Sequence, residues 1–335
     1  QLINKVDDEL AVVMGETRVT AAFPGINSNP SIQDTVLGKG RKFSDLNKKE
    51  RAFLLVSVLS ILACLGLTIK RIVDVDKSSP DFTFTLLLVV NILFCSYYIA
   101  TGIFYEKPYE LMIFIIGVII VCSYLIVNYV ISTKDPYKLA RLISACVLCP
   151  FIVVYGVPIA WNYYRSCKLI FRTVGTLETM MNMCKNMFMF LGLLQMDLQL
   201  GASLTVIVLA KGDVVSTLEI IFLCVIGVLT LSSSLLGYFG VRRESRTLMY
   251  MYAALWIFLP AYAIYSIVQT ALDQHGNAHV GQDALGIVKY ICCVLSICTR
   301  LVIPYFGCKV YRSFGNGLKE KVYHYNADRQ YETLS

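Results

Sequence analysis

Charge and histidine are both scarce in this chain. Only 16% of its 335 residues are Asp, Glu, Lys or Arg, while 56% are apolar, a balance that excludes an ordinary soluble domain of this size. The three histidines, His275, His279 and His324, lie outside the long apolar runs, and no nucleophile has a neighbouring base. The chain therefore reads as a non-enzyme without a cofactor. N-glycosylation sequons are missing. Alternation with a period of two is missing as well, which argues against an outer-membrane β-barrel. Cysteine is plentiful, with twelve residues, but none falls in an expected outer loop, so no extracellular disulfide framework is expected.

What is present is a set of apolar runs, each long enough to cross a bilayer as a helix of about 20 residues. They cover 52–69, 82–105, 109–132, 139–161, 187–210, 217–241, 247–272 and 285–308. The expected fold is an all-α polytopic bundle of about eight spans, occupying residues 47–311. Seven spans result if 52–69, the shortest run and one flanked by basic residues at both ends, lies in the interface instead. Residues 1–46 read as a polar, partly disordered cytoplasmic arm, and 312–335 as a basic, partly amphipathic cytoplasmic tail. The arm opens with Gln and carries no cleavable signal, so it reads as the continuation of a longer chain. Its GKGRK stretch lacks phosphate-loop spacing.

Lys and Arg set the orientation. Counted from Lys39, nineteen lie just before the first run, after the even-numbered runs and in the tail, against seven on the other side, so both termini are placed in the cytoplasm. The net charge of +7 is thus juxtamembrane and suits anionic inner-leaflet lipids; nucleic acid is excluded as a partner. The connection 162–186 and the tail 309–335 offer surfaces for a cytoplasmic protein, and small residues in the runs favour a homo-oligomer. Cys167, Cys184 and Cys308, juxtamembrane by position, are candidates for lipidation. Tyr331 to Leu334 match a sorting pattern, which points to plasma or endosomal membranes. No internal repeat is apparent, although the long 162–186 connection divides the runs four and four.

Function is sought where polarity is stranded. Asp197 falls near the middle of the fifth run, where a charge costs about 2.5–3.5 kcal/mol unless paired or hydrated. Lys289 and Arg300 lie in the eighth, eleven residues apart, hence on one helix face and roughly 16 Å apart along its axis. Asp197 is the expected partner of one of them. Secondary polar candidates are Gln195, Gln199, Glu219, Ser233 and Asn91. Pro150, Pro158, Pro260 and Pro304 are points of backbone weakness at which a transporter could flex. The methionines 180–196 could select soft copper but are read as packing, and Asp273, His275, His279 and Asp283 are read as a solvated loop, so no metal is expected. The reading is a transporter or channel with a polar core of Asp197, Arg300 and Lys289. The alternative is a non-conducting receptor of heptahelical kind, or an auxiliary or scaffold subunit.

Overall fold

A computed structural model describes residues 33–35, 38–74, 80–131, 136–166, 178–209, 217–276 and 284–316. The chain divides at Leu46, before which Gln33–Thr35 (β1) pairs antiparallel with Gly38–Gly40 (β2) and one 3-10 turn covers Phe43–Asp45. The rest is helical.

Eight helices follow: α1 (Lys48–Asp74), α2 (Pro80–Phe104), α3 (Pro108–Ile131), α4 (Pro136–Ser166), α5 (Glu178–Leu209), α6 (Thr217–Arg243), α7 (Arg246–Gly276) and α8 (Ala284–Arg312). Each of the eight apolar runs lies within one of them, give or take a residue at the ends. In hydrocarbon the backbone must satisfy itself, and a helix does so within one segment. Among the described residues, all but α7 are long and apolar enough to cross a membrane. Helix α7 has 31 residues and no charge between Arg246 and Asp273. The run at 52–69 forms a full helix packed on α2 and α4. Prolines mark the starts of α2, α3 and α4, where no intrahelical donor is needed. At the start of α1 the Asn47 N–H donates to Glu50 Oε2 at 3.0 Å, one half of a capping box.

The helices form a ladder two wide and four long. One row is α1, α2, α5, α6 and the other α4, α3, α8, α7; the rungs are α1–α4, α2–α3, α5–α8 and α6–α7. Each half of the chain is therefore a ring of four neighbours, and α2 and α3 meet α5 and α8 along a seam between the halves. Two apolar clusters fill the ladder. One, around Met187, Phe190, Leu194, Tyr252 and Ile303, lies inside the second half. The other joins Phe84, Leu88 and Tyr124 of the first half to Leu204, Ile207 and Val288 of the second.

A repeat not apparent along the sequence is visible in the backbone. The α2–α3 turn ends with Lys107 N–H donating to Gly102 O and Glu106 N–H to Ile103 O. The α6–α7 turn does the same from Ser245 to Gly240 and from Glu244 to Val241. Glu106 and Glu244 hold the left-handed φ of 48° and 50° that such a helix end requires, where glycine is the usual occupant. Gly102 and Gly240 admit the next helix: a Cβ would stand 3.2 Å from the Leu111 backbone and 3.1 Å from Met249 Sδ. The fourth helix of each half carries an internal proline, Pro158 or Pro304, and its C-terminal end reads Tyr-Arg-Ser.

The rims are fixed by aromatic rings under cations. Lys309 Nζ lies 4.3 Å above the Tyr305 ring and Lys185 Nζ 5.4 Å above Tyr164 on the face that bears the bundle's ends, and Lys70 Nζ lies 4.9 Å above Tyr137 on the other.

Close helix contact depends on small residues, and Gly201 in α5 is the tightest case, since a Cβ there would sit 2.7 Å from Thr230 Cγ2 of α6. Thr230 is stiff at χ1 and cannot easily yield. Gly201→Ala should lower the melting temperature in detergent by several degrees, whereas Gly66→Ala, with nothing within 4 Å, should leave it unchanged or raised.

Candidate functional site: a buried ion pair beside a polar seam

Asp197 and Arg300 face each other across the α5–α8 rung. Arg300 Nε donates to Asp197 Oδ1 at 2.8 Å, and each residue is 3% exposed. Neither charge could be left in hydrocarbon alone, and a guanidinium–carboxylate hydrogen bond is the short, strong kind that offsets desolvation. Residue type and span position alone had made Asp197 a partner for Arg300 or Lys289; the structure selects Arg300. Lys289 is also buried, but its eleven-residue offset places it about 16 Å further along α8, toward the opposite face. The corresponding rung of the first half, α1–α4, has no charged residue between Arg51 and Lys70 or between Arg141 and Arg165. A four-helix ring of this kind therefore forms without an ion pair at its centre.

Two residues on from Asp197, and on another face of α5, the seam turns polar. Gln199 Nε2 donates to Asn91 Oδ1 at 2.7 Å, and the Asn91 amide donates to Ser203 Oγ at 3.3 Å and to the Leu87 carbonyl at 2.9 Å. Toward the face bearing the ends, Gln195 Nε2 donates to Tyr97 Oη at 3.1 Å. Toward the other face, Tyr124 Oη and Cys292 Sγ share a hydrogen bond at 2.8 Å between α3 and α8. Asn91, Gln195 and Gln199 were legible as stranded polar groups. Ser203, Tyr97, Tyr124 and Cys292 were not, because hydroxyls and thiols are ordinary in membrane helices; the four-residue spacing of Gln199 and Ser203 was the one available signal.

Other candidates stand elsewhere. Ser233 Oγ donates to the Thr230 carbonyl of its own helix at 2.9 Å. The side chains of Glu219, Asp273, His275, His279 and Asp283 lie outside the described residues, as does Cys167. Cys184 is fully buried in the Met187–Phe190 cluster, which removes its thiol from the reach of an acyl donor, while Cys308 is exposed. Met180, Met181, Met183 and Met189 pack against that same cluster as gap fillers. Among the described residues no group of three His, Cys, Asp or Glu could hold a metal ion.

The family model that fits these residues runs over 37–161 and again over 174–302, one segment on each four-helix half. The chain belongs to the family described as a domain of unknown function, DUF7789. No curated protein and no solved structure matches it. The matched residues of this chain include both the rung with the ion pair and the rung without it.

The pair makes a double-mutant prediction. Asp197→Leu or Arg300→Leu alone strands a buried charge and should cost about 3–5 kcal/mol. The double variant should recover most of that loss, read as melting temperature in detergent. Losses that simply add would show that the two groups are not coupled.

Proposed function

We propose that this protein is a membrane transporter or channel whose solute passes along the seam between two tandem four-helix copies, beside the Asp197–Arg300 pair. The observation that carries the reading is the pair itself. The first half builds its equivalent rung from apolar side chains, so the charges answer a need other than folding. Support also comes from the arrangement of the halves. Each has an even number of helices, so the copies share one orientation, as in transporters built from parallel repeats with a midplane site at the repeat interface. The polar groups Asn91, Gln199 and Ser203 lie in that seam. The basic face suits an anionic inner leaflet, consistent with plasma or endosomal membranes, and leaves 162–186 and 309–335 for a cytoplasmic partner or a second copy.

The closed geometry of the pair supports a second reading, a non-conducting receptor or auxiliary subunit in which Asp197 and Arg300 lock α5 to α8. The two separate experimentally. In proteoliposomes the wild type should carry an ion or a small solute, and Asp197→Asn, which keeps the side-chain shape, should abolish that flux while the protein still folds. A wild type that is silent toward every solute offered, with Asp197→Asn affecting thermal stability alone, would favour the lock.

A further inference from the structure

The two rings differ inside. In the second, Asp197 and Arg300 bridge the rung between α5 and α8. The first encloses a cavity of about 70 Å³, walled by all four of its helices. Residue size makes the space: α1 presents Ser60 and Cys64, and α4 presents Ser144, Ala145 and Cys149, side chains too short to meet across the rung. Ile92 and Cys95 of α2 close the back and are buried, whereas Cys64, Ser144 and Cys149 are half-buried. The α1–α4 rung is the end of the ladder, so this side of the cavity meets lipid. Toward the face that bears the bundle's ends the ring is shut. Phe53 of α1 meets Phe114 of α3 edge-on at 6.3 Å, and Phe53 and Ile115 pack on Gly156 of α4.

The other end of the cavity carries a cation. Arg141 lines it, 4% exposed, and its Nη2 donates to the Leu67 carbonyl at 3.1 Å. Lys138, one turn away on α4, is buried too. The segments on that side, 70–81 and 134–141, hold six Lys or Arg against four Asp, so the local balance favours an anion. From Arg141 the cavity runs to Cys149, about 12 Å along the axis of α4, and its walls between are aliphatic side chains and thiols.

Independently of the transport reading, we propose that this cavity binds a single-chain carboxylate of the fatty-acid class. Its head lies on Arg141 and its first carbons among Cys64, Cys95 and Cys122, and the rest of the chain leaves between α1 and α4 into the bilayer.

The head is assigned by charge and shape. A guanidinium has five N–H donors in a planar fork, enough to hold the Leu67 carbonyl and a carboxylate together. Volume sets how much of the chain is enclosed. At about 10–15 Å³ for each water-sized group, the cavity takes about five, a carboxylate and the first few carbons of one chain. The direction is the one a lipid of that leaflet already has, with its head at the membrane surface and its chain toward the midplane.

The test uses the full chain in lipid nanodiscs and a decanoic acid with a diazirine in its chain as photolabel. Label should map to peptides covering 60–67 and 141–149, and free decanoate should displace it. Decanol, which lacks the charge, should displace it at least about tenfold less well, as hydrogen bonds to a charged group predict. Arg141→Gln should weaken binding by a similar factor and Arg141→Lys by less. Ser144→Phe, which fills the cavity and leaves the cation in place, should abolish the displaceable label with little change in melting temperature. Label spread over lipid-facing positions of both halves, or undiminished in a folded Ser144→Phe, would overturn the site. Decanol as effective as decanoate would overturn the anionic head. A lysophospholipid that displaces the label better than decanoate would overturn the carboxylate and assign the cavity to a phosphate-headed lipid.

Discussion

A carboxylate near the centre of a bilayer has no water to turn to, and much of this structure is arranged around that fact. Asp197 must find a cation inside the protein, and Arg300 is the one that reaches it. Satisfying that requirement joins α5 to α8. Helix α5 also touches α6, α2 and α3, so the element that carries the charge is the one through which the two halves of the chain meet. Removing either partner therefore disturbs more than a local contact, whereas replacing both with apolar groups restores what the first half already has.

Within each half, helices are held by large apolar side chains and by glycines that let backbones approach, as at Gly156 against Phe53 and Ile115 and at Gly237 against Leu194. Between the halves the middle of the contact is made of amides and hydroxyls. Hydrogen bonds between membrane helices average about 0.6 kcal/mol, because the separated helices also find partners, so the seam's polar layer contributes specificity more than strength. The apolar filling around Phe84 and Val288 closes one end of it, and Ile113 packs against Gly192 toward the other. The two rings thus meet through this polar layer and through the apolar cluster beside it.

The spans were legible because hydrocarbon admits so few solutions: a run of some 20 apolar residues has to be a helix, and each of the eight runs is one. Asp197 and Arg300 were legible for the same reason, since a charge in such a run announces the need for a partner. The seam was harder. Asn91 and Gln199 are 108 positions apart, and nothing local in either says that the other is near. The repeat was harder still, because lipid-facing positions tolerate any apolar side chain and leave little pattern to compare. What the halves share is backbone geometry, notably a glutamate at positive φ in each hairpin turn, a conformation that residue type alone would not suggest. Cys184 shows the converse, since its place in the sequence suggested a membrane surface while helix α5 begins early enough to bury it.

Transport along the seam, as proposed, requires the two halves to move against each other, and the most direct test is a distance between them. Spin labels on lipid-facing Leu59 of α1 and Val228 of α6, at opposite ends of one row, would report the separation of the halves by pulsed dipolar spectroscopy in liposomes. Leu59 and Val154, both in the first half, supply the internal reference. The account predicts two distance populations for the first pair, with their balance shifted by solute, and one narrow population for the second. A single narrow, solute-independent distance for both would mean a rigid bundle, and would contradict it.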